Sequence, residues 1–500
     1  MKKSIVELAL SFSIYFLLLI AYGYEQWGSD MIEVIPYLKK WDNPQLYPND
    51  FYLNYIFQLP FFERSVYLAL LHYTVSHHQL GLFIVHLICS VSLILATIKI
   101  ISYFVKEVAW TYLTCLSFFL LCSWFSLNGH EMYYNMPVSS MVALSLASWA
   151  MYFFFSSKLS LQIIFAVLTC YIHAIVGLHL FGLILLFYIS RSFVLHRFLC
   201  KEILRFGMGW LIFCAPYLLF LVWKTASVHS HGNLEQELLE FRIGHHLYFH
   251  YQDIQNIVLS FLLFGLGLWS SSKTERWIFL YLIFHGLFIL VYGMLTSIFH
   301  VGWVTKTMWL GSSIFLELFC VISVFMFFKN YFVAQYYRIK KVFYVLVCCG
   351  LVAAISYKNF YTSRGELIQA DELELAQFCK LNTSNDALFA TPMNFTRFKA
   401  LSERSSWVDW KAIGHHLAYL APWSDRIQKL YGVNFSDRKS NHEWNTKANL
   451  FYNNLSENEL KELFSKYGIG FYIRDKRFSK QPFSMQPLFE NTTYQLYTLK

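Results

Sequence analysis

Long apolar runs recur along the first 358 residues of this chain, and they constrain its fold more than any other feature. Most are about 17–25 residues long, which is the length that an α-helix needs to cross the hydrocarbon core of a bilayer. The eleven runs cover residues 4–22, 79–104, 108–127, 138–156, 159–173, 175–190, 206–224, 254–270, 277–297, 305–328 and 342–357. The sequence therefore predicts a mainly α, polytopic membrane protein with about 11 transmembrane helices.

Some of these runs permit two interpretations. The first run follows Met1-Lys2-Lys3 and has features of a signal peptide, but it is long and no A-x-A cleavage site follows it. We therefore expect an uncleaved first helix. The fifth and sixth runs are short and are joined by residues 171–174, so they form either two spans or one re-entrant hairpin.

Basic residues are distributed unevenly between the two sets of loops. With the N-terminus in the cytoplasm, the inner loops carry 14 Lys and Arg residues and the outer loops carry 6. Cytoplasmic loops are enriched in Lys and Arg, so this orientation is favoured, and an odd number of spans places residues 359–500 outside. The formal net charge of +9 follows from this topology, and we do not expect nucleic acid as a partner.

The composition changes at about residue 359. Residues 359–500 contain 18 Lys and Arg and 15 Asp and Glu residues, and they contain no long apolar run. Their periodicity predicts helices at 373–381 and 459–467, and strands at 387–390, 407–410, 470–473 and 494–499. We therefore expect a transmembrane domain over residues 1–358 and an extracytoplasmic α/β domain over residues 359–500.

Carboxylates in the outer loops are the candidates for catalysis, because a general base must be a titratable group that reaches the substrate. Asp30 and Glu33 follow the first span, and Glu131 lies between the third and the fourth. Burial beside lipid raises the pKa of a carboxyl toward the range that a base needs. The alternative for Asp30 and Glu33 is a solvated loop, and the alternative for Glu131 is an interfacial loop anchored by Tyr133 and Tyr134. Asp42 and Asp50 flank a segment with two prolines and are interpreted as structural.

Basic residues of the later outer loops are suited to bind a phosphate headgroup. Arg242, His245 and His246 lie in the loop between the seventh and eighth runs, and Lys306 lies at the start of the tenth. Guanidinium, ammonium and imidazolium groups form charge-assisted hydrogen bonds with phosphate. The alternative is that paired histidines of a surface loop have no binding role.

Glu317 is a carboxylate inside the tenth apolar run. Such residues are costly in a bilayer and face a cavity or a partner, so an ion pathway and a helix–helix hydrogen bond both stay open. Walker A, Rossmann, H-E-x-x-H and G-x-S-x-G motifs are absent from the sequence. Their absence argues against an ATP-driven pump and the common soluble hydrolases.

Short motifs carry a resemblance to a known family. They are Asp42-Asn-Pro-Gln-Leu-Tyr-Pro-Asn-Asp50, Arg242-Ile-Gly-His245-His246-Leu-Tyr, and the stretches 398–411 and 423–432. With the order of the parts, they resemble the GT-C-type glycosyltransferases, and more closely an uncharacterised bacterial membrane-protein family with that layout. The resemblance implies a GT-C-like fold and a catalytic acid in the first outer loop, which either Asp30 or Glu33 matches. It also implies a basic residue near the tenth span, which Lys306 matches.

The function implied by this resemblance is transfer of a sugar from a polyprenyl-phosphate-linked donor to an extracytoplasmic acceptor, at a bacterial inner membrane. The lipid-linked donor, membrane lipids and that acceptor are the expected partners. No cofactor is indicated, although a divalent metal is compatible with the chemistry. The alternatives are a transporter or flippase of a lipid-linked or envelope precursor, and a non-catalytic envelope protein. An enzyme is expected to depend on Asp30, and a transporter on Glu317.

Overall fold

The structure is a computed structural model in which the chain forms two compact units. We call them the helical unit (Met1–Glu25, Phe83–Val222 and Ile243–Gly365) and the mixed unit (Gln26–Leu82, Trp223–Arg242 and Glu366–Lys500). The residues that the structure describes are 2–28, 30–59, 61–125, 127, 131–197, 199–226, 241, 244, 246–249, 252–333, 347, 349–358, 370–414, 417–433, 441–480 and 483–498. The first outer loop and the C-terminal segment thus belong to one unit, and the two units alternate along the chain.

Helices account for most of the described residues. In chain order they are α1 (Lys2–Tyr22), α2 (Met31–Asp42), α3 (Phe51–Gln58), α4 (Ser65–Thr74), α5 (Gln79–Val105), α6 (Val108–Phe125), α7 (Ser139–Phe155), α8 (Leu159–Ile172), α9 (Ala174–Leu195), α10 (Cys200–Ala226), α11 (Ile254–Thr274), α12 (Arg276–Ser297), α13 (Gly302–Thr305), α14 (Ser313–Phe327), α15 (Cys349–Lys358), α16 (Ala370–Asn382), α17 (Phe398–Ser402), α18 (Leu417–Tyr431), α19 (Asn441–Tyr452) and α20 (Glu457–Tyr467). The strands are β1 (Leu388–Ala390), β2 (Ser405–Ser406), β3 (Phe471–Asp475), β4 (Phe489–Glu490) and β5 (Tyr494–Thr498).

Apolar helices dominate the helical unit. Within the described ranges, 7 helical segments are long and apolar enough to cross a membrane by length and composition. Shorter apolar helices occupy four of the other predicted runs, namely α6, α7, α8 and α15. The predicted mainly helical class with several long apolar helices is therefore confirmed, whereas the membrane crossings and their count of eleven stay predictions.

The fifth and sixth predicted runs form two separate helices, α8 and α9. The break falls at His173, whose backbone is extended (φ −153°) and whose Nδ1 accepts a hydrogen bond from the Val176 N–H at 3.5 Å. A Cβ atom on Gly177 would lie 2.4 Å from the Cα of Cys170. The missing side chain therefore lets the two helices approach closely just after the break.

A five-stranded sheet, in the order β2-β1-β3-β5-β4, lies in the C-terminal part of the mixed unit. β1 pairs in parallel with β2 and β3, and β5 runs antiparallel to β3 and β4. Leu375 and Cys379 of α16 pack with Phe389 of β1 and Leu496 of β5 in its hydrophobic core. This segment therefore has the α/β character that its sequence predicts.

The predicted strand at 407–410 is wrong, because β2 ends at Ser406. The Trp407 N–H still bonds to the Phe389 carbonyl at 2.9 Å, but the chain then turns. Asp409 Oδ1 accepts hydrogen bonds from the N–H groups of Lys411 and Ala412, at 2.7 and 3.2 Å. A short carboxylate that bonds to the backbone just after it closes a turn, and so ends the strand.

Candidate functional site

Asp30 and Glu33, the two predicted acids of the first outer loop, share one guanidinium group. Arg64 donates to Asp30 Oδ2 and to Glu33 Oε2, each at 3.1 Å. Asp30 directly precedes α2 without capping it, and Glu33 lies in the first turn, so their spacing places both on one side of the helix. Arg64 directly precedes α4. The structure therefore brings the two acids together through a third residue.

The two acids differ in their exposure. The side chain of Asp30 is 32% exposed, whereas that of Glu33 is 8% exposed and also accepts a hydrogen bond from the Tyr52 hydroxyl at 3.2 Å. Burial opposes the charge of Arg64, but Asp30 and Glu33 outweigh it and hold the pKa of Arg64 above its ordinary value. Asp30 is thus the more accessible acid, and Glu33 is held inside.

Tyr52 connects this pair to a second ionic cluster. The ammonium nitrogen of Lys399 lies 5.2 Å from the Tyr52 ring centroid, 3.6 Å from Asp50 Oδ2 and 3.4 Å from Asp409 Oδ2. The Lys399 side chain is only 1% exposed. Burial opposes its charge, but the two carboxylates hold the pKa of Lys399 above its ordinary value. A buried lysine is stable in its charged form only when it is paired in this way.

Negative charge predominates where these two clusters meet. The four carboxylates Asp30, Glu33, Asp50 and Asp409 face the two cations Arg64 and Lys399, which gives a formal charge of 2 − 4 = −2. Three further charged residues act on members of these clusters, and counting Arg426, Lys40 and Glu63 the charge is −1. A phosphate group is repelled by such surroundings, so they suit a neutral or cationic group near Asp30 better.

Direct contacts join the first outer loop to the C-terminal part of the mixed unit. Lys39 Nζ lies 2.7 Å from Glu403 Oε1, and the Tyr47 hydroxyl donates to the Lys399 carbonyl at 3.1 Å. Asp50 Oδ2 accepts a hydrogen bond from the Ser406 N–H at 3.2 Å. Residues that flank and form α17 therefore hold the loop that carries Asp30.

Asp42 and Asp50 have the structural roles that their sequence context predicts. Asp50 caps α3, because its Oδ1 accepts a hydrogen bond from the Leu53 N–H at 2.9 Å. The two carboxylate oxygens of Asp42 lie 3.2 Å from His72 Nδ1 and 2.7 Å from His77 Nδ1. These contacts fix the ends of α2 and α4 against each other.

The other predicted site residues lie in the helical unit or outside the described residues. Glu131 is half-buried in the loop between α6 and α7, and burial raises the pKa of its carboxyl. Lys306 is exposed just after α13, and His246 is half-buried. Arg242 and His245 lie outside the described residues. The roles of these five residues stay predictions.

Arg64, Tyr52 and Lys399 were not among the predicted site residues. Arg64 is the only arginine between the first two apolar runs, and this feature of the sequence could have identified it as a site residue. Nothing in the sequence marks Lys399 as buried. Among the described residues, no group of three or more His, Cys, Asp or Glu side chains could hold a metal ion.

Comparisons with known proteins bear on the fold. A family model described as a domain of unknown function (DUF6798) matches residues 370–430, which run from α16 into α18. No curated protein matches the chain. The chain is similar in structure to the archaeal oligosaccharyltransferase AglB from Archaeoglobus fulgidus, solved in complex with an inhibitory peptide and a dolichol-phosphate. The TM-score is 0.53, with 10% sequence identity, over 94% of this chain and 69% of that chain. At this identity the similarity shows the fold alone, and it confirms the predicted GT-C-like fold at that level.

Proposed function

We propose that this protein is a membrane glycosyltransferase that moves a sugar from a polyprenyl-phosphate-linked donor to an extracytoplasmic acceptor. The observation that carries the proposal is the fold similarity, over 94% of the chain, to an oligosaccharyltransferase solved with a dolichol-phosphate and a peptide. The apolar helices supply surfaces for a lipid-linked donor, and the mixed unit supplies polar groups for an acceptor.

Asp30 is the proposed general base. Its carboxylate takes the proton from the acceptor nucleophile as that atom bonds to the anomeric carbon of the sugar. The bond between this carbon and the lipid phosphate breaks, and the phosphate leaves with the bonding electrons. The partial exposure of Asp30 and its ion pair with Arg64 support this role, because they make the carboxylate both accessible and fixed in orientation.

The leaving phosphate needs positive charge that the surroundings of Asp30 do not provide. Arg242, His245, His246 and Lys306 are the proposed residues for this contact, since each can donate to a phosphate oxygen. Arg242→Ala is expected to raise the KM for the donor more than it lowers kcat, because a lost phosphate contact weakens binding before the chemical step.

The test is turnover of purified protein with a defined polyprenyl-phosphate-linked sugar. Asp30→Asn should lower kcat by about 10²–10⁴-fold, the usual contribution of a general base, at an unchanged melting temperature. Glu33→Gln is the matched control, because its amide oxygen can still accept the Tyr52 hydrogen bond and it should keep most of the turnover. Wild-type turnover in Asp30→Asn would assign the base to Glu33 or Glu131. Loss of substrate transport in Glu317→Gln, without any transferase activity in the wild type, would favour the transporter alternative.

A further inference from the structure

A small pocket with a mostly apolar wall lies within the helical unit. Side chains of α11, α12 and α14 form most of its wall, among them Phe264, Ile289 and Leu316. The pocket is distinct from the ionic clusters around Asp30, which belong to the mixed unit.

Glu317 of α14 is the charged residue in the described lining of this pocket. It is 4% exposed, and neither carboxyl oxygen has a hydrogen-bond partner among the described residues. The Ser313 hydroxyl lies one turn earlier on the same helix, and it too has no hydrogen-bond partner among the described residues. Buried polar groups are nearly always paired, so a carboxyl and a hydroxyl that both lack partners point to a missing ligand.

The chemistry of the wall selects the kind of ligand. The described lining contains Glu317, Ser313 and Ser260 as its oxygen-bearing side chains, and no Lys, Arg or His. The Ser260 hydroxyl is already bonded to the Phe125 carbonyl. A phosphate group would lose its hydration here beside a carboxyl and without a cation, which is unfavourable. An ammonium group could pair with Glu317 but offers no acceptor for the Ser313 hydroxyl.

The pocket reaches the outer surface of the helical unit. Phe261 of α11 is 50% exposed and Leu290 of α12 is 45% exposed, and both line the pocket. Their neighbours on the same helices, such as Leu262 and Val291, are also exposed and apolar. A hydrocarbon chain can therefore extend from the pocket onto a surface that a bilayer would cover.

We propose that this pocket binds an uncharged long-chain alcohol. Its hydroxyl group donates a hydrogen bond to the Glu317 carboxyl and accepts one from Ser313, which pairs both orphaned groups. Its hydrocarbon chain packs against the apolar wall and leaves the pocket past Phe261 and Leu290. The site is separate from the proposed transfer reaction and does not depend on it.

Three amphiphiles with the same tail test this proposal on the purified full chain in detergent, namely decanol, decylamine and decyl phosphate. Saturable binding is measured from the rise in melting temperature and by native mass spectrometry. Decanol should bind at least about tenfold more tightly than the other two. Glu317→Leu should weaken decanol binding about tenfold, the effect of one lost hydrogen bond in a closed site, whereas Glu317→Gln keeps an acceptor oxygen and should bind within about threefold of the wild type.

Three results would overturn the proposal. Equal binding of the three amphiphiles, or unchanged decanol binding in Glu317→Leu, would show adsorption to the apolar surface only. Preference for decylamine would show a cation site instead. If Glu317→Leu does not yield folded protein, Ser313→Ala provides the same test, because it removes the second hydrogen bond without changing the charge.

Discussion

Among single residues, Arg64 determines how the two acids of the first outer loop are presented. Its planar guanidinium donates to Asp30 and Glu33 in parallel, which a lysine ammonium cannot reproduce. We expect Arg64→Lys to lower kcat by roughly 10–100-fold, because the proposed base loses its orientation, and to leave the KM for the lipid-linked donor within about twofold. Steady-state kinetics measure both constants. A raised donor KM at unchanged kcat would instead place Arg64 at the phosphate.

Glu403 gives the mixed unit a predictable response to acid. Its carboxylate lies 2.7 Å from Lys39 Nζ and 2.8 Å from Lys380 Nζ. Burial opposes its charge, but the hydrogen bonds from Lys380 and Lys39 outweigh it and hold the pKa of Glu403 below its ordinary 4.5. The resulting stability is present above pH 4.5 and is lost as the pH falls through the lower folded-state pKa. We expect Glu403→Gln to reduce the free energy of unfolding by roughly 1–2 kcal/mol at pH 7.

The measurement is the melting temperature of wild type and Glu403→Gln between pH 7 and pH 3. The two values should differ at pH 7 and converge below pH 4.5. Asp425→Asn is the control, because Asp425 pairs with Lys429 on the surface, with both side chains at least 40% exposed. An exposed pair contributes little, so this variant should melt close to the wild type at every pH. A constant difference between wild type and Glu403→Gln at all pH values would contradict the assignment.

At the scale of elements, buried charges rather than apolar contacts alone join α17 to α3. Lys399 of α17 faces Asp50, which caps α3, and Asp409, which forms the turn after β2. Removing only Lys399 leaves two buried carboxylates without the cation that compensates their charge. We expect Lys399→Met to destabilise the protein by about 3–5 kcal/mol, seen as a lower melting temperature and less monodisperse protein in size-exclusion chromatography.

The matched variant for this test is Lys399→Met combined with Asp50→Asn and Asp409→Asn. Asp409→Asn keeps one acceptor oxygen for both backbone N–H groups, and Asp50→Asn keeps one for either Leu53 or Ser406; both changes remove the charge. This triple variant should recover more than half of the lost stability, since the repulsion between the carboxylates is gone. If it is as unstable as Lys399→Met, packing of the lysine side chain rather than charge pairing accounts for the loss.

The accuracy of the sequence predictions differs between kinds of element for physical reasons. The apolar runs were predictable because their length and continuous apolar character match a membrane-spanning helix, and α16 because its buried residues recur at helical spacing. Strand β2 was misplaced, because the aromatic residues after it resemble a strand and the turn depends on Asp409 bonding to the backbone. Arg64 and Lys399 were not predicted as site residues, because their partners lie 31 or more residues away in the sequence. Asp409 is an exception, because it lies only ten residues from Lys399 in the sequence. The turn that Asp409 forms brings its carboxylate close to Lys399.

At the scale of the whole molecule, the C-terminal part of the chain folds together with the first outer loop. Residues 26–82, 223–242 and 366–500 form one compact unit, although most of the apolar helices lie between these segments in the sequence. A folded unit of this kind cannot be divided by a bilayer. We therefore expect its three segments to lie on the same side of the membrane, with an even number of spans between one segment and the next.

This requirement sharpens the predicted topology. The second to eleventh apolar runs lie between residues 82 and 366, which is an even number of spans, and the bias of Lys and Arg places the N-terminus in the cytoplasm. We expect reporter fusions after residues 43 and 500 to report the extracytoplasmic side, and a fusion after residue 341 to report the cytoplasm. Paired reporters that are active on opposite sides, such as alkaline phosphatase and a fluorescent protein, measure this directly. Fusions after 43 and 500 that report different sides would contradict the even count, whereas fusions after 341 and 500 that report the same side would remove the last predicted span.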